Sequence, residues 1–195
     1  MKYASVTEHL AGLGSDKWVL HAAAQKRAAE GHRILNLTIG EPDVPTPTAL
    51  IDMACAAMQS GRTGYSNGRG ENSLLSALST RYSDRLGRPI GRDRFLCLPG
   101  TQTSLYLVFR ALCEPGDEVI LGDPMYATYE GLIRASGAMQ VPVRLRDDAG
   151  FRLRAEDVEA AITPSTRVIF LNTPHNPTGA ILRAEDLQAI GEVAQ

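Results

Sequence analysis

Three short segments of this 195-residue chain carry residue types at spacings that could do chemistry. Gly100-Thr101-Gln102 follows the apolar run Phe95–Leu98 and opens an apolar helical pattern. The first N–H groups of a helix lack internal acceptors and sit at its positive end, so this corner suits a phosphate. The same residues also describe an ordinary turn with a helix cap. Neither Gly-x-Gly-x-x-Gly nor a Gly-Lys-Ser/Thr ending occurs here, so neither a dinucleotide fingerprint nor a P-loop is present. Asn172 to Gly179 (NTPHNPTG) is too long for a minimal strand-to-helix turn, and Asn176 precedes a proline, the context in which cis peptide bonds occur. It reads either as a loop aiming Asn176 into a cleft or as a proline-stiffened turn capped by Thr178. Tyr126 and Tyr129 follow Asp123-Pro124 at helical spacing three, which makes core packing the default for one of them. Tyr126, nearer the strand, could instead be a flat platform for a planar group.

Other reactive side chains give less. His9, His21, His32 and His175 show no metal spacing and read as surface or internally satisfied histidines. Cys55, Cys97 and Cys113 are odd in number, widely spaced and set among apolar residues, which points to small buried hydrophobes and away from a disulfide framework or metal site.

The elements that must position these segments follow from periodicity and turn chemistry. One helix is expected from an Asp16 N-cap through Trp18 to Glu30, ending at Gly31. Ile34–Leu37 reads as a short strand before Gly40-Glu41-Pro42-Asp43. Thr46 and Pro47 start a second helix that runs through Met58, and a Gly-rich loop from Gly61 to Gly70 carries Tyr65. A third helix spans Asn72–Leu86 and stops at Gly87. From Phe95 onward strands alternate with helices: Glu118–Leu121, a helix from Asp123-Pro124 to Ser136, Val141–Val143, a helix over Glu156–Ile162, Arg167–Leu171, and a last helix from near Ala184. That alternation with short connections means an α/β fold, a mainly parallel sheet covered on both faces. Ligands of such sheets collect outside the carboxyl ends of the strands, where all three polar segments fall.

Composition sets the outer bounds. With 44% hydrophobic and 22% charged residues the chain is neither disordered nor fibrous. Twenty basic against 22 acidic residues give no field that recruits nucleic acid or an anionic membrane. No run approaches the apolar length of a membrane span, and the first residues lack a signal core, so a cytoplasmic protein is expected.

Taken in order, the motifs resemble a known family. Gly40-Glu41-Pro42-Asp43, Tyr65 in the Gly-rich loop, Gly100-Thr101-Gln102, Pro115-Gly116-Asp117-Glu118-Val119, Asp123-Pro124-x-Tyr126-x-x-Tyr129 and Asn176-Pro177-Thr178-Gly179 resemble the class I/II aminotransferases. These are fold-type I enzymes that use pyridoxal 5'-phosphate (PLP), similar to aspartate and aromatic aminotransferases. The resemblance implies a three-layer sandwich, the PLP-dependent transferase large domain. It assigns 1–45, a helix and strand, to the small domain or dimer arm, and 46–195 to the amino-terminal part of the PLP-binding domain. It further implies that Gly100, Thr101 and Gln102 form the phosphate cup, that Tyr126 stacks on the pyridine ring, and that Asn176 bonds its phenolic oxygen near the substrate carboxylate. Gly40 matches the glycine whose backbone approaches that carboxylate, and Tyr65 the tyrosine that reaches the neighbouring subunit's cofactor phosphate in a homodimer with shared sites. Trp18 falls in the segment that lines the substrate entrance, where core or interface packing is an equal reading.

Thr101 stands where a second glycine is common, and Leu75 where an arginine often follows the Gly-rich turn. The family chemistry also needs a lysine to bond the cofactor, an acid for the pyridine nitrogen and an arginine for the substrate. Lys2, Lys17 and Lys26, the lysines of this chain, precede the sheet and match nothing in that lysine's motif. The expectation is therefore an amino-terminal portion of an aminotransferase, exchanging an amino group between an amino acid and a 2-oxo acid in the whole protein but inactive alone. The incomplete fold goes with it, and no catalytic residue or metal ligand is assigned within the chain. A PLP-dependent lyase of the same fold, and a non-catalytic transaminase-like regulatory module or fragment, remain open beside this reading.

Overall fold

The computed structural model describes residues 2–13 and 15–195, and the side chains of all of these except 15–17. Contacts divide the chain into two compact units, one of residues 1–22 with 101–195 and the other of residues 23–100. The sheet belongs to the first. Its elements are α1 (Val6–His9), most of α2 (Ser15–Ala29), α5 (Thr101–Leu112), β1 (Glu118–Asp123), α6 (Tyr129–Ser136), β2 (Met139–Arg144), α7 (Ala155–Ala161), β3 (Thr166–Phe170) and α8 (Ala184–Val193). The second unit holds the end of α2, then α3 (Thr48–Gln59) and α4 (Asn72–Leu86).

The three strands are parallel in the order β2-β1-β3, with Ile120 of β1 between Val141 and Ile169. Alternation sends successive side chains to opposite faces. Val119 and Leu121 pack with Phe109 of α5 and Ile133 of α6. Ile120 packs with Val143, Val158 of α7 and Ile190 of α8. Helices thus cover both faces, and the central strand is buried at Val119, Ile120 and Leu121. Each such burial is worth about 1.5–3 kcal/mol relative to exposure. The expected parallel α/β arrangement is the observed one. The crossover from β1 to β2 runs one way and the crossover from β2 to β3 runs back past β1, so strand order reverses between β1 and β3. At such a reversal the connections diverge to opposite faces and leave a crevice at the carboxyl ends.

Several local expectations are corrected. Ile34–Leu37 forms no strand: it has no ladder partner, and Leu35 and Leu37 are 82% and 93% exposed. Phe95–Leu98 is also not a strand, its tie to the Gly-rich loop being one bond from Cys97 N–H to Arg69 C=O. The helix expected from Pro124 begins at Tyr129, because 124–128 are taken up by a turn. The second helix is capped by Pro47, one residue beyond the expected Thr46. Cys113 is buried as expected, but Cys97 is half-buried and Cys55 is exposed on α3. Helix α2 begins at Ser15, so Asp16, expected as its N-cap, stands inside the helix, its side chain outside the described residues. By contrast α4 has its expected bounds, with Gly87 at φ 62°, the left-handed conformation that suits a residue without a Cβ.

Candidate functional site

Beyond β1 the chain leaves the sheet at Asp123-Pro124, a cis peptide bond, and turns through Met125 and Tyr126. Tyr126 therefore lies before α6, not on it, and its carbonyl accepts the Tyr129 N–H at 3.1 Å. The rings of Tyr126 and Tyr129 meet edge-on, centroids 5.4 Å apart at 69°. Tyr129 meets Phe170, the last residue of β3, at 4.8 Å and 86°, and Phe170 meets Phe109 of α5 at 5.5 Å and 75°. This series of perpendicular contacts links α5, β3 and the turn after β1. Burial, and then the neighbouring Tyr126, push the Tyr129 phenol above its ordinary range, so it stays protonated.

The segment after β3 folds back on itself. His175 N–H donates to Ala180 C=O and Gly179 N–H to His175 C=O, both at 2.7 Å, with Gly179 at φ 76°. Thr178 Oγ1 accepts the Ala180 N–H at 3.3 Å and lies 2.7 Å from His175 Nδ1. The hydroxyl can donate to or accept from Nδ1, the direction following the tautomer of the neutral imidazole. Burial lowers the His175 pKa and favours that neutral form. Asn176, whose bond to Pro177 is cis, is exposed at the tip of the fold-back.

Between these two segments lies a crevice of about 20 Å³, walled by Leu121, Met125, Tyr129, Phe170, Asn172 and His175, among others. It lies where strand order reverses, and its volume has room for about one water. Asn172 stands first after Leu171, and its Nδ2 is buried there without a hydrogen-bond partner. A buried donor left unpaired costs about 1–3 kcal/mol, so the position calls for an acceptor. Sequence reasoning took Asn172 only as the start of a loop and His175 as surface or satisfied. The available signal was position: Asn172 is a polar residue just past the carboxyl end of β3, and His175 lies in the loop that follows.

The amino end of α5 reaches the same edge of the sheet. Its 12 residues span about 18 Å and the connection 113–117 leads into the amino end of β1, whose six residues span about 20 Å. The helix thus starts level with the strands' carboxyl ends. Thr101 and Gln102 are exposed in its first turn, where amides have no acceptor inside the helix. Gly100 precedes them at φ 87°, a conformation that side chains disfavour. Gly40 and Tyr65 belong to the 23–100 unit and are both exposed. Trp18 is 59% exposed, with its ring edge-on to His21 at 5.7 Å. Among the described residues no group of three His, Cys, Asp or Glu gathers as a metal site, and no helix is long and apolar enough to cross a membrane.

The sequence pattern of the family "Aminotransferase class I and II" matches residues 32–195. The chain belongs to that aminotransferase family. It is 40% identical over 193 residues to the arginine–pyruvate transaminase of Pseudomonas aeruginosa, covering 99% of this chain and 49% of that protein. It is 35% identical over 168 residues to the aspartate aminotransferase of Sulfolobus acidocaldarius, covering 85% and 42%. A Thermus thermophilus aspartate aminotransferase single mutant superposes with a TM-score of 0.92 at 30% identity, covering all of this chain and 50% of that one. The aminotransferase chain thus spans about half the length of the curated relatives it matches. Family membership and the parallel α/β fold agree with the resemblance drawn from the motifs.

Proposed function

We propose that this chain forms the amino-terminal part of the cofactor cradle in a PLP-dependent aminotransferase, which moves an amino group between an amino acid and a 2-oxo acid. The observation that carries the reading is the convergence of the α5 amino end, the turn of Tyr126 and the Asn172–Gly179 fold-back on one edge of a parallel sheet. The donor set fits the cofactor: exposed first-turn amides for a phosphate, a flat ring, and a buried amide N–H with no acceptor. When bound, PLP supplies the aldehyde that carries the amino group and the ring that takes up electrons.

The chain's own residues have distinct tasks. Thr101 and Gln102 hold the phosphate through backbone amides and their polar side chains, with Gly100, whose own N–H donates to Leu98 C=O at 2.9 Å, shaping the turn that presents them. Tyr126 presents its ring to the pyridine ring and fixes its plane. Asn176 donates to the phenolic oxygen and, with the backbone at Gly40, borders the substrate carboxylate. Tyr65 reaches the phosphate of a second subunit's cofactor in a homodimer, and Trp18 borders the substrate entrance. In this scheme 1–45 serve as arm and small-domain segment and 46–195 as cofactor domain, and the protein works in the cytoplasm. Because Lys2, Lys17 and Lys26 precede the sheet, these 195 residues alone do not turn over.

The test is spectroscopic, on the product of the complete reading frame. PLP bound to it gives a visible absorption band that shifts on adding an amino acid and returns on adding a 2-oxo acid. A protein that binds PLP without either response is not an aminotransferase.

A further inference from the structure

We propose that Tyr129 is a positioning residue that sets the plane of the Tyr126 ring. The inference rests on the proposed reading of Tyr126 as the ring that faces the cofactor, and it adds a residue that does not itself touch the cofactor. Tyr126 sits on a non-helical turn, half-buried, between half-buried Met125 and exposed Ala127. Regular secondary structure does not fix its orientation. Tyr129 ties it down twice: its N–H donates to the Tyr126 carbonyl at 3.1 Å, and its ring stands edge-on to the Tyr126 ring at 5.4 Å. Edge-to-face pairs constrain both rings, because the positive edge of one seeks the negative face of the other.

Tyr129 can impose that constraint because it is itself held. It opens α6, and its ring is nearly perpendicular to Phe170 at 86°. Phe170 is held in turn by Phe109, which is 1% exposed in the sheet's core. Rigidity therefore passes from the core through two rings to a surface turn. Burial keeps the Tyr129 phenol neutral, consistent with a ring and not a charge doing the positioning. Phenylalanine can replace it; an aliphatic residue of similar bulk cannot.

The experiment uses the full-length protein with Tyr126→Ala, Tyr129→Leu, Tyr129→Phe and the Tyr126→Ala/Tyr129→Leu double variant. It measures the PLP dissociation constant, the visible circular dichroism of bound PLP, and the melting temperature. Tyr129→Leu should weaken PLP binding about three- to tenfold, the worth of one edge-to-face contact. It should also reduce the dichroism of the bound cofactor, whereas Tyr129→Phe keeps both. The double variant should bind no more weakly than Tyr126→Ala alone, because the lost positioning acts only through that ring. Equal weakening by Tyr129→Leu with and without the Tyr126 ring overturns the proposal and assigns Tyr129 to general packing. So does unchanged binding in Tyr129→Leu when Tyr126→Ala binds weakly. If Tyr126→Ala itself binds PLP normally, the reading of Tyr126 fails first and the proposal falls with it. Should Tyr129→Leu not fold, Phe170→Leu removes the next contact back and must show the same dependence on Tyr126.

Discussion

The two units use their apolar residues in opposite ways. In 101–195, two clusters on either face of β1 bury side chains from β1, β2 and four helices, with half-buried side chains of β3 packed against them. In 23–100, Leu75 is the one buried residue, while Leu50, Ile51, Met53 and Met58 of α3 are all exposed. Yet both units have regular helices with well-placed ends. A helix closes its own hydrogen bonds, so caps and propensity suffice to draw it; a strand exists only through a neighbour. The difference teaches which structure is local. Where burial and pairing come from within the unit, strands form, and where they do not, only helices remain.

The sharpest way to break this contrast is a pair of alanine substitutions. Ile133→Ala, in α6 against the sheet, should lower unfolding free energy by about 2–5 kcal/mol, the range for an emptied core site. Leu50→Ala, at 57% exposure on α3, should change it by less than about 0.5 kcal/mol. Urea titration of the two variants gives both values. Comparable losses would mean that α3 is packed in solution and that the contrast is not a property of the protein.

The same distinction explains what the sequence could tell. The span of α4 and its end at Gly87 were legible because a left-handed glycine after a periodic run is a local signal. The β1 and β3 strands were legible because buried parallel strands are continuous apolar runs. Ile34–Leu37 reads the same way in letters, and no letter in it reports that a partner strand is missing. The turn at 124–128 was hidden by Tyr126 and Tyr129, whose spacing is equally good on a helix. At the candidate site, Thr101, Gln102, Tyr126 and Asn176 could be singled out from motif and position. For Asn172 the letters offered position alone, since an orphaned amide is defined by what surrounds it.

Asn172 is one of four described positions, with Thr128, Gln140 and Arg146, where the well-packed unit buries a side-chain polar atom without a partner. Its buried Nδ2 has no partner, so Asn172→Leu, similar in shape and apolar like the crevice walls, should stabilise the protein by about 1 kcal/mol. The measurement is the urea midpoint without added PLP. A loss of stability would show that the amide is already paired, and the crevice would then call for no added acceptor.

The smallest effect lies one turn further along, at His175. Its pKa in the folded chain is lowered by burial, whereas the unfolded chain keeps the ordinary value of about 6.5. Above that value neither state is protonated and the residue contributes no pH dependence. As pH falls below it, the unfolded chain takes up a proton that folded His175 refuses, so stability declines until pH passes the folded value and then levels. Tyr129 is the other titratable group among the crevice walls, and it stays neutral over this range, so no carboxylate there offsets the decline. His175→Gln can still bond Thr178 but cannot titrate. Its melting temperature should therefore fall less than that of the wild type between pH 7 and pH 5, by a degree or two at most for a partly buried ring. Parallel curves would mean that solvent reaches the imidazole freely. The fold-back after β3 would then belong, in its exposure, with the 23–100 unit and not with the sheet that carries it.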